Sequence, residues 1–246
     1  MGKQALDAYE SEMNALFSEW ERRSGSIAMG TKSGECTVHI DHRKDVFVRD
    51  GVVCPEKWFA QERRPLYLLK EAYGEGNNWN LIDDQLRQTY SIGKSLMWRR
   101  ISEWTCGLLS TTQTTIHPYH SWRPITNYNN EYLLQTAIVN IKKSGGKSGS
   151  DMENVRAYAE FDHELIHRQI EICDPTIIIC GYTASFLDII LDASVRELRN
   201  DNLYYHIDIN GHNVLVLDFW HPANQYPDIM NYYSLMAIYQ QALKNQ

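Results

Sequence analysis

The chain lacks any C-x-x-C pair. Its five cysteines (Cys36, Cys54, Cys106, Cys173 and Cys180) are scattered over 246 residues. An odd, unpaired set excludes a zinc knuckle or a disulfide scaffold and reads as reduced thiols, several of them in the core. Long apolar runs are also missing. Nothing approaches the roughly 20 residues that a membrane span requires, so no membrane partner is expected. The opening MGKQALDAYESEM has no apolar signal core, and Leu6 stands where a myristoylation pattern needs Ser or Thr, so a cytoplasmic location is expected. There is no basic excess: 24 Lys and Arg face 31 Asp and Glu, a net charge of −7. That balance argues against a broad nucleic-acid surface and leaves room only for a narrow basic cleft. No internal repeat is visible.

With 43% hydrophobic residues, the chain has material for one large α/β domain or two small ones. Its most informative stretch is LYLLKEAYGEG, residues 66–76. A short apolar run, entered through Pro65 and left through Gly74 and Gly76, reads as a strand buried on both faces. In an open parallel sheet, ligands bind beyond the carboxyl ends of such strands. Helical spacing of Leu6, Tyr9, Met13, Leu16 and Trp20 predicts a helix over 4–23, and a Gly/Ser-rich charged passage follows. Residues 45–53, with Asp50-Gly51 inside, predict a hairpin. Next come a strand at 66–70, a long loop at 71–91, a helix near 92–106 and a strand at 135–141. The polar stretch 110–130 has no predicted fold. A helix at 151–172, a strand at 176–180, a helix at 183–198, a hairpin of 203–209 and 213–218 around Asn210-Gly211, and a helix at 228–244 complete the pattern. Strands alternating with helices predict a three-layer α/β/α fold with a central, mostly parallel four-stranded sheet. The helix and hairpin of residues 1–63 form an extension packed on a domain of residues 64–246.

Several motifs fail on spacing. His163-Glu164-Leu165-Ile166-His167 matches H-E-x-x-H, which on a helix turns two imidazoles to one face for zinc. However, Ile170 stands where the longer zincin motif wants a glycine, and no third histidine follows. Gly93-Lys94-Ser95 and Gly146-Lys147-Ser148 hint at phosphate loops, but Gln88 and Ile141 occupy the places of the required first glycine. The lysines Lys142, Lys143 and Lys147 of the second still suit loose phosphate contact. His39, Asp41 and His42, and likewise His117 and His120, read as surface or hydrogen-bonded side chains rather than metal ligands.

Three strand ends taken together carry the functional signal. The first is Lys70-Glu71-Ala72-Tyr73-Gly74, the second Val139-Asn140, and the third Asp218-Phe219-Trp220 followed by His221-Pro222-Ala223-Asn224. In this order they resemble the uracil-DNA glycosylase superfamily, over roughly residues 64–240, and HRQIEICDPTIIICGYTASF (167–186) is similar to its helix–strand–helix passage. In that family a G-x-x-P-G-like loop supplies the catalytic or water-positioning residue, an asparagine reads the base, and an H-P-[SA] turn supplies an electrophilic histidine. Here Lys70 replaces the usual glycine and Tyr73 the usual proline. Ala72 stands where several branches carry a carboxylate or amide, and Glu71 matches the glutamate of the branch with a G-E-A-P-G loop. That branch's iron–sulfur cysteines are absent, so no cofactor is expected.

The resemblance implies a monofunctional DNA glycosylase, a monomer that flips out a modified or damaged pyrimidine and hydrolyses its N-glycosidic bond. Bond cleavage develops a cationic sugar and an anionic base. His221 would stabilise the base's O2, and Glu71, with Glu75 second, would position water. Asn140 would read the base edge, and Tyr73 or Trp79 would stack on it. Asn224, Gln225 and Tyr226 would enter the vacated duplex, while Lys142, Lys143 and Lys147 would grip phosphates. Gly74 matches the position where strict uracil enzymes place a blocking tyrosine. Its lack of a side chain implies tolerance of 5-substituted pyrimidines, such as hypermodified cytosines of phage DNA, and hence a defence role. Uracil repair, a non-catalytic nucleic-acid-binding protein and a zinc hydrolase built on His163, Glu164 and His167 stand as alternatives.

Overall fold

The structure is a computed structural model that describes residues 3–31, 34–74, 76–88, 95–121, 131–146, 149–192, 194–199 and 202–245. Helix α1 (Lys3–Trp20) is followed by β1 (Ser24–Thr31), β2 (Gly34–Asp41), β3 (Val48–Arg49), β4 (Gly51–Val52) and a single turn, α2 (Pro55–Trp58). The middle of the chain forms β5 (Pro65–Tyr73), β6 (Trp79–Asn80), a π-helical turn at Leu81–Leu86, α3 (Leu96–Ser110) and β7 (Ala137–Gly146). Helix α4 (Met152–Cys173), β8 (Ile177–Gly181), α5 (Leu187–Ile190), α6 (Val195–Arg199), β9 (Tyr204–Ile209), β10 (His212–Phe219) and α7 (Asp228–Lys244) complete it.

The central sheet runs β4-β7-β5-β8-β10-β9. Strands β7, β5, β8 and β10 are mutually parallel, which is the predicted four-stranded core. Two antiparallel edges, β4 on β7 and β9 on β10, widen it to six. The runs LYLL, AIV, IIIC and VLVL are continuously apolar because each strand is covered on both sides. Leu66, Leu68, Val139, Ile178 and Val216 face a layer that includes Leu16 and Trp20 of α1 and Ile166 and Ile170 of α4. Tyr67, Leu69, Ile138, Ile179 and Leu217 face Ile101 and Trp104 of α3 and Leu235 and Met236 of α7. The chain leaves β5 for β7 on one side and returns to β8 on the other. That reversal opens a crevice at the strands' carboxyl ends.

The N-terminal segment departs from expectation. The Gly/Ser-rich passage is itself the hairpin: β1 and β2 pair antiparallel through eight residue pairs, with their side chains mostly in solvent. The predicted hairpin at 45–53 does not form. Strand β3 pairs with β6, and β4 joins the edge of the central sheet. Gly51, at φ +145°, lets the backbone switch partners there, a conformation that glycine adopts without strain. Within this segment α1 packs into the core and β4 is part of the central sheet. The predicted helix at 183–198 is broken into α5 and α6. No described helix is long and apolar enough to cross a membrane.

Candidate functional site

Strand β5 runs past the sheet to Tyr73, and a register shift against β7 between Glu71 and Tyr73 marks a bulge. The extra residue turns Ala72 to the same face as Leu69, so Glu71 and Ala72 both border the crevice. A cavity of about 400 Å³ opens there. Glu71, Ala72 and Tyr73 from β5, Trp79 from β6, Asn140 from β7 and His221 after β10 all line it. Three predicted strand ends, 69 and 81 residues apart along the chain, thus share one concavity. Leu81, Met97 and Trp98 supply an apolar wall; Lys70 and Ser95 add polar groups, as do Gln85 and Ser150, which sequence spacing did not single out.

His221 sits on a turn held from below. Arg100 of α3 is buried at 3% exposure, and its guanidinium donates to the carbonyls of Pro222 (2.9 Å), Asn224 (2.6 Å) and Tyr226 (2.6 Å) and to the Asp228 carboxylate (2.7 Å). A planar fork with five donors suits this task, which a lysine could not perform. Gly181 lets the turn approach β5: a Cβ there would lie 2.7 Å from Leu69 and 3.3 Å from Pro222. Burial, and secondarily the Lys70 ammonium, pull the His221 pKa down from 6.5 to about 4. The imidazole is neutral at physiological pH. The Ala223 backbone N–H donates to its Nδ1 at 3.2 Å, so the ring proton resides on Nε2. The result is a neutral donor beside the cavity.

Glu71 lies against Gly146, where a Cβ would meet its side chain at 2.5 Å, and its Oε2 accepts from Lys142 Nζ at 3.0 Å. Asn140 is 2% exposed; its backbone N–H (2.9 Å) and side-chain Nδ2 (3.0 Å) both donate to Asp50 Oδ2. The other oxygen of Asp50 accepts from Lys143 Nζ (2.5 Å) and Gln169 Nε2 (2.9 Å).

Four expectations are corrected. Lys143 does not reach phosphates: it is fully buried, ion-paired with Asp50 and packed 5.1 Å from the Trp20 ring centroid. Along β7 the side chains alternate, so the second lysine of the pair must point into the core. Lys142 is committed to Glu71 and lies over the Tyr158 ring, with a side chain only 13% exposed. Gly74 does not open the cavity wall. A Cβ there would lie 2.7 Å from Gly145 Cα, so the residue is glycine because the tails of β5 and β7 touch backbone to backbone. Asn224 is turned inward: its amide bonds His221 O, the Tyr226 N–H and the Asn231 amide. Gln225 and Tyr226 are exposed, with the Tyr226 ring tilted against Trp220 at 4.6 Å between centroids. Glu75 and Lys147 lie outside the described residues.

No protein-family model matches the chain, and no curated protein is significantly similar to it. Alternative metal readings find little there. His163 bonds the Glu160 carbonyl and His167 pairs with Glu171, both on the outer face of α4. His42 is buried against Asp162 at 2.9 Å, while Asp41 pairs with Arg43 and His39 with Ser26. Among the described residues no three His, Cys, Asp or Glu side chains gather as metal ligands would.

Proposed function

We propose that this chain is a DNA N-glycosylase, acting as a monomer without a cofactor, that hydrolyses the bond between deoxyribose and a modified or damaged pyrimidine. One observation carries the reading: Glu71, Asn140 and a neutral, Nε2-protonated His221 line a single cavity at the carboxyl ends of three parallel strands.

A base flipped into this cavity meets His221 Nε2–H at its O2, where negative charge grows as the C1′–N1 bond breaks. A preorganised neutral donor strengthens with that charge and needs no protonation beforehand. The Glu71 carboxylate, held by Lys142, faces the developing cation at C1′ and orients the water that forms the new C1′–O bond. The water's proton passes to solvent, and the departing base collects one at its ring nitrogen. Asn140 contacts the edge of the base, and Tyr73 and Trp79 supply aromatic surface. At about 400 Å³ the cavity falls within the range of small-molecule sites and supports a pyrimidine with a 5-substituent. Tolerance of bulky bases, and with it a defence role against phage DNA, now rests on this volume rather than on Gly74. Uracil repair is the narrower version of the same chemistry.

A second reading is favoured by a specific observation. Two of the three lysines meant to grip phosphates are turned inward, and Ala72 offers no carboxylate, which suits a non-catalytic base-binding protein. The deciding experiment is alkaline cleavage of end-labelled oligonucleotides carrying uracil and 5-substituted pyrimidines, single-stranded and duplex. Abasic products that fall roughly 10²–10³-fold in His221→Ala, and vanish in Glu71→Gln, support the glycosylase. Binding to the same panel without cleavage on any base overturns it in favour of the second reading.

A further inference from the structure

Asp50 comes from a segment far from the three motifs, yet it touches the one amide assigned to the base edge. We propose that Asp50 is a positioning residue that fixes the polarity of the Asn140 amide at the cavity wall. Through that amide it makes the site distinguish a 4-keto from a 4-amino pyrimidine. The inference rests on the reading of Asn140 as the base contact.

Asp50 is 3% exposed and Asn140 2%, so both amide orientations would be judged in a dry interior. The carboxylate can only accept. With Oδ2 taking both the backbone N–H and Nδ2 of Asn140, the amide nitrogen is the atom turned to Asp50. A flipped amide would press oxygen against oxygen with no hydrogen between them, leaving buried acceptors unmet. Lys143 Nζ and Gln169 Nε2 hold the other carboxylate oxygen, so Asp50 cannot swing away to relieve the clash. Asn140 Oδ1 has no partner among the described residues, and Asn140 lines the cavity. The site therefore offers an acceptor and one remaining N–H in a fixed order. A 4-keto pyrimidine presents N3–H then O4, donor then acceptor; a 4-amino pyrimidine presents N3 then the 4-amino group, acceptor then donor. A locked amide fits one order and opposes the other.

The test pairs Asp50→Asn with Lys143→Met, which removes the buried charge together with its counter-charge. An asparagine at position 50 can accept or donate, so Asn140 is freed to take either orientation. Thermal unfolding verifies that the double variant folds. Oligonucleotides bearing uracil or cytosine with the same 5-substituent then give the ratio of kcat/KM. In wild type the ratio departs from unity; in the variant it moves toward unity on the order of tenfold, through a rise for the disfavoured base. A folded variant with an unchanged ratio overturns the proposal.

A second measurement needs neither variant nor catalysis. In ¹⁵N NMR of the wild-type protein, the Asn140 side-chain amide is expected to show one exchange-protected hydrogen and to respond to free uracil and free cytosine unequally. Equal responses, or none, overturn the positioning role. An unequal response in a protein that excises no base of the oligonucleotide panel keeps the positioning role and removes the glycosylase reading.

Discussion

The state of His221 can be tested through stability, independently of any substrate. Folding lowers its pKa from 6.5 to about 4, chiefly by burial, and the unfolded chain restores the ordinary value. Between these values the unfolded state binds a proton that the folded state refuses, so stability rises with pH across the window and is lost on acidification. The gap of about 2.5 pH units corresponds to about 3.4 kcal/mol in full. Between about pH 7 and about pH 4.5 the single-site expression gives roughly 2.4 kcal/mol, because the folded imidazole begins to accept its proton at the lower end. Below pH 4 both states are protonated and the difference no longer grows. His221→Gln keeps a neutral side chain of similar reach and does not titrate. Urea unfolding of both proteins across this range cancels every other titrating group. Wild type is expected to lose about 2.4 kcal/mol more than the variant on acidification. A difference under about 0.5 kcal/mol, or a larger loss in the variant, would refute the buried, neutral imidazole.

Other outcomes follow from contacts already described. Arg100→Met removes the guanidinium that donates to three carbonyls of the His221 turn and to one oxygen of the Asp228 carboxylate; about 3–5 kcal/mol of stability should vanish in denaturant titration, with base excision falling in parallel. Gly74→Ala forces a Cβ against Gly145 backbone and should cost about 1–3 kcal/mol while leaving the preference among 5-substituted bases unchanged; a shifted preference would restore Gly74 to the cavity wall. Because Lys142 is spent on Glu71, Lys142→Gln should depress kcat without altering the slope of log affinity against log salt for DNA, and a slope reduced by about one would return it to the phosphate backbone.

The parallel core was legible because each of its strands is apolar on both faces, and the β9–β10 hairpin because Asn210 and Gly211 both take positive φ at the predicted turn. The β1–β2 hairpin was not. Its side chains are mostly in solvent, so no face carries an apolar alternation. Asp50-Gly51 misled in the opposite direction: it has the composition of a tight turn, yet its carboxylate organises a buried polar network that only tertiary structure reveals. Lys142-Lys143 looked like a surface pair because the strand was expected to end at 141, whereas it continues to Gly146. The strand ends named the cavity's first residues. Arg100 gave no sign, since a basic pair in an amphipathic helix ordinarily faces water.

The Asp50 network has a consequence for how the protein is made. Its partners lie 90, 93 and 119 residues further along the chain. Contacts of such long sequence separation reward folding only after large loops have closed, so they belong to its late, slow stages. During synthesis Asp50 emerges without any of its three partners, and the last of them, Gln169, appears near the end of α4. A fragment beginning near residue 64 would leave the Lys143 ammonium without its Asp50 partner. The cavity wall at Asn140 and the N-terminal edge of the sheet therefore reach their final form in the same step.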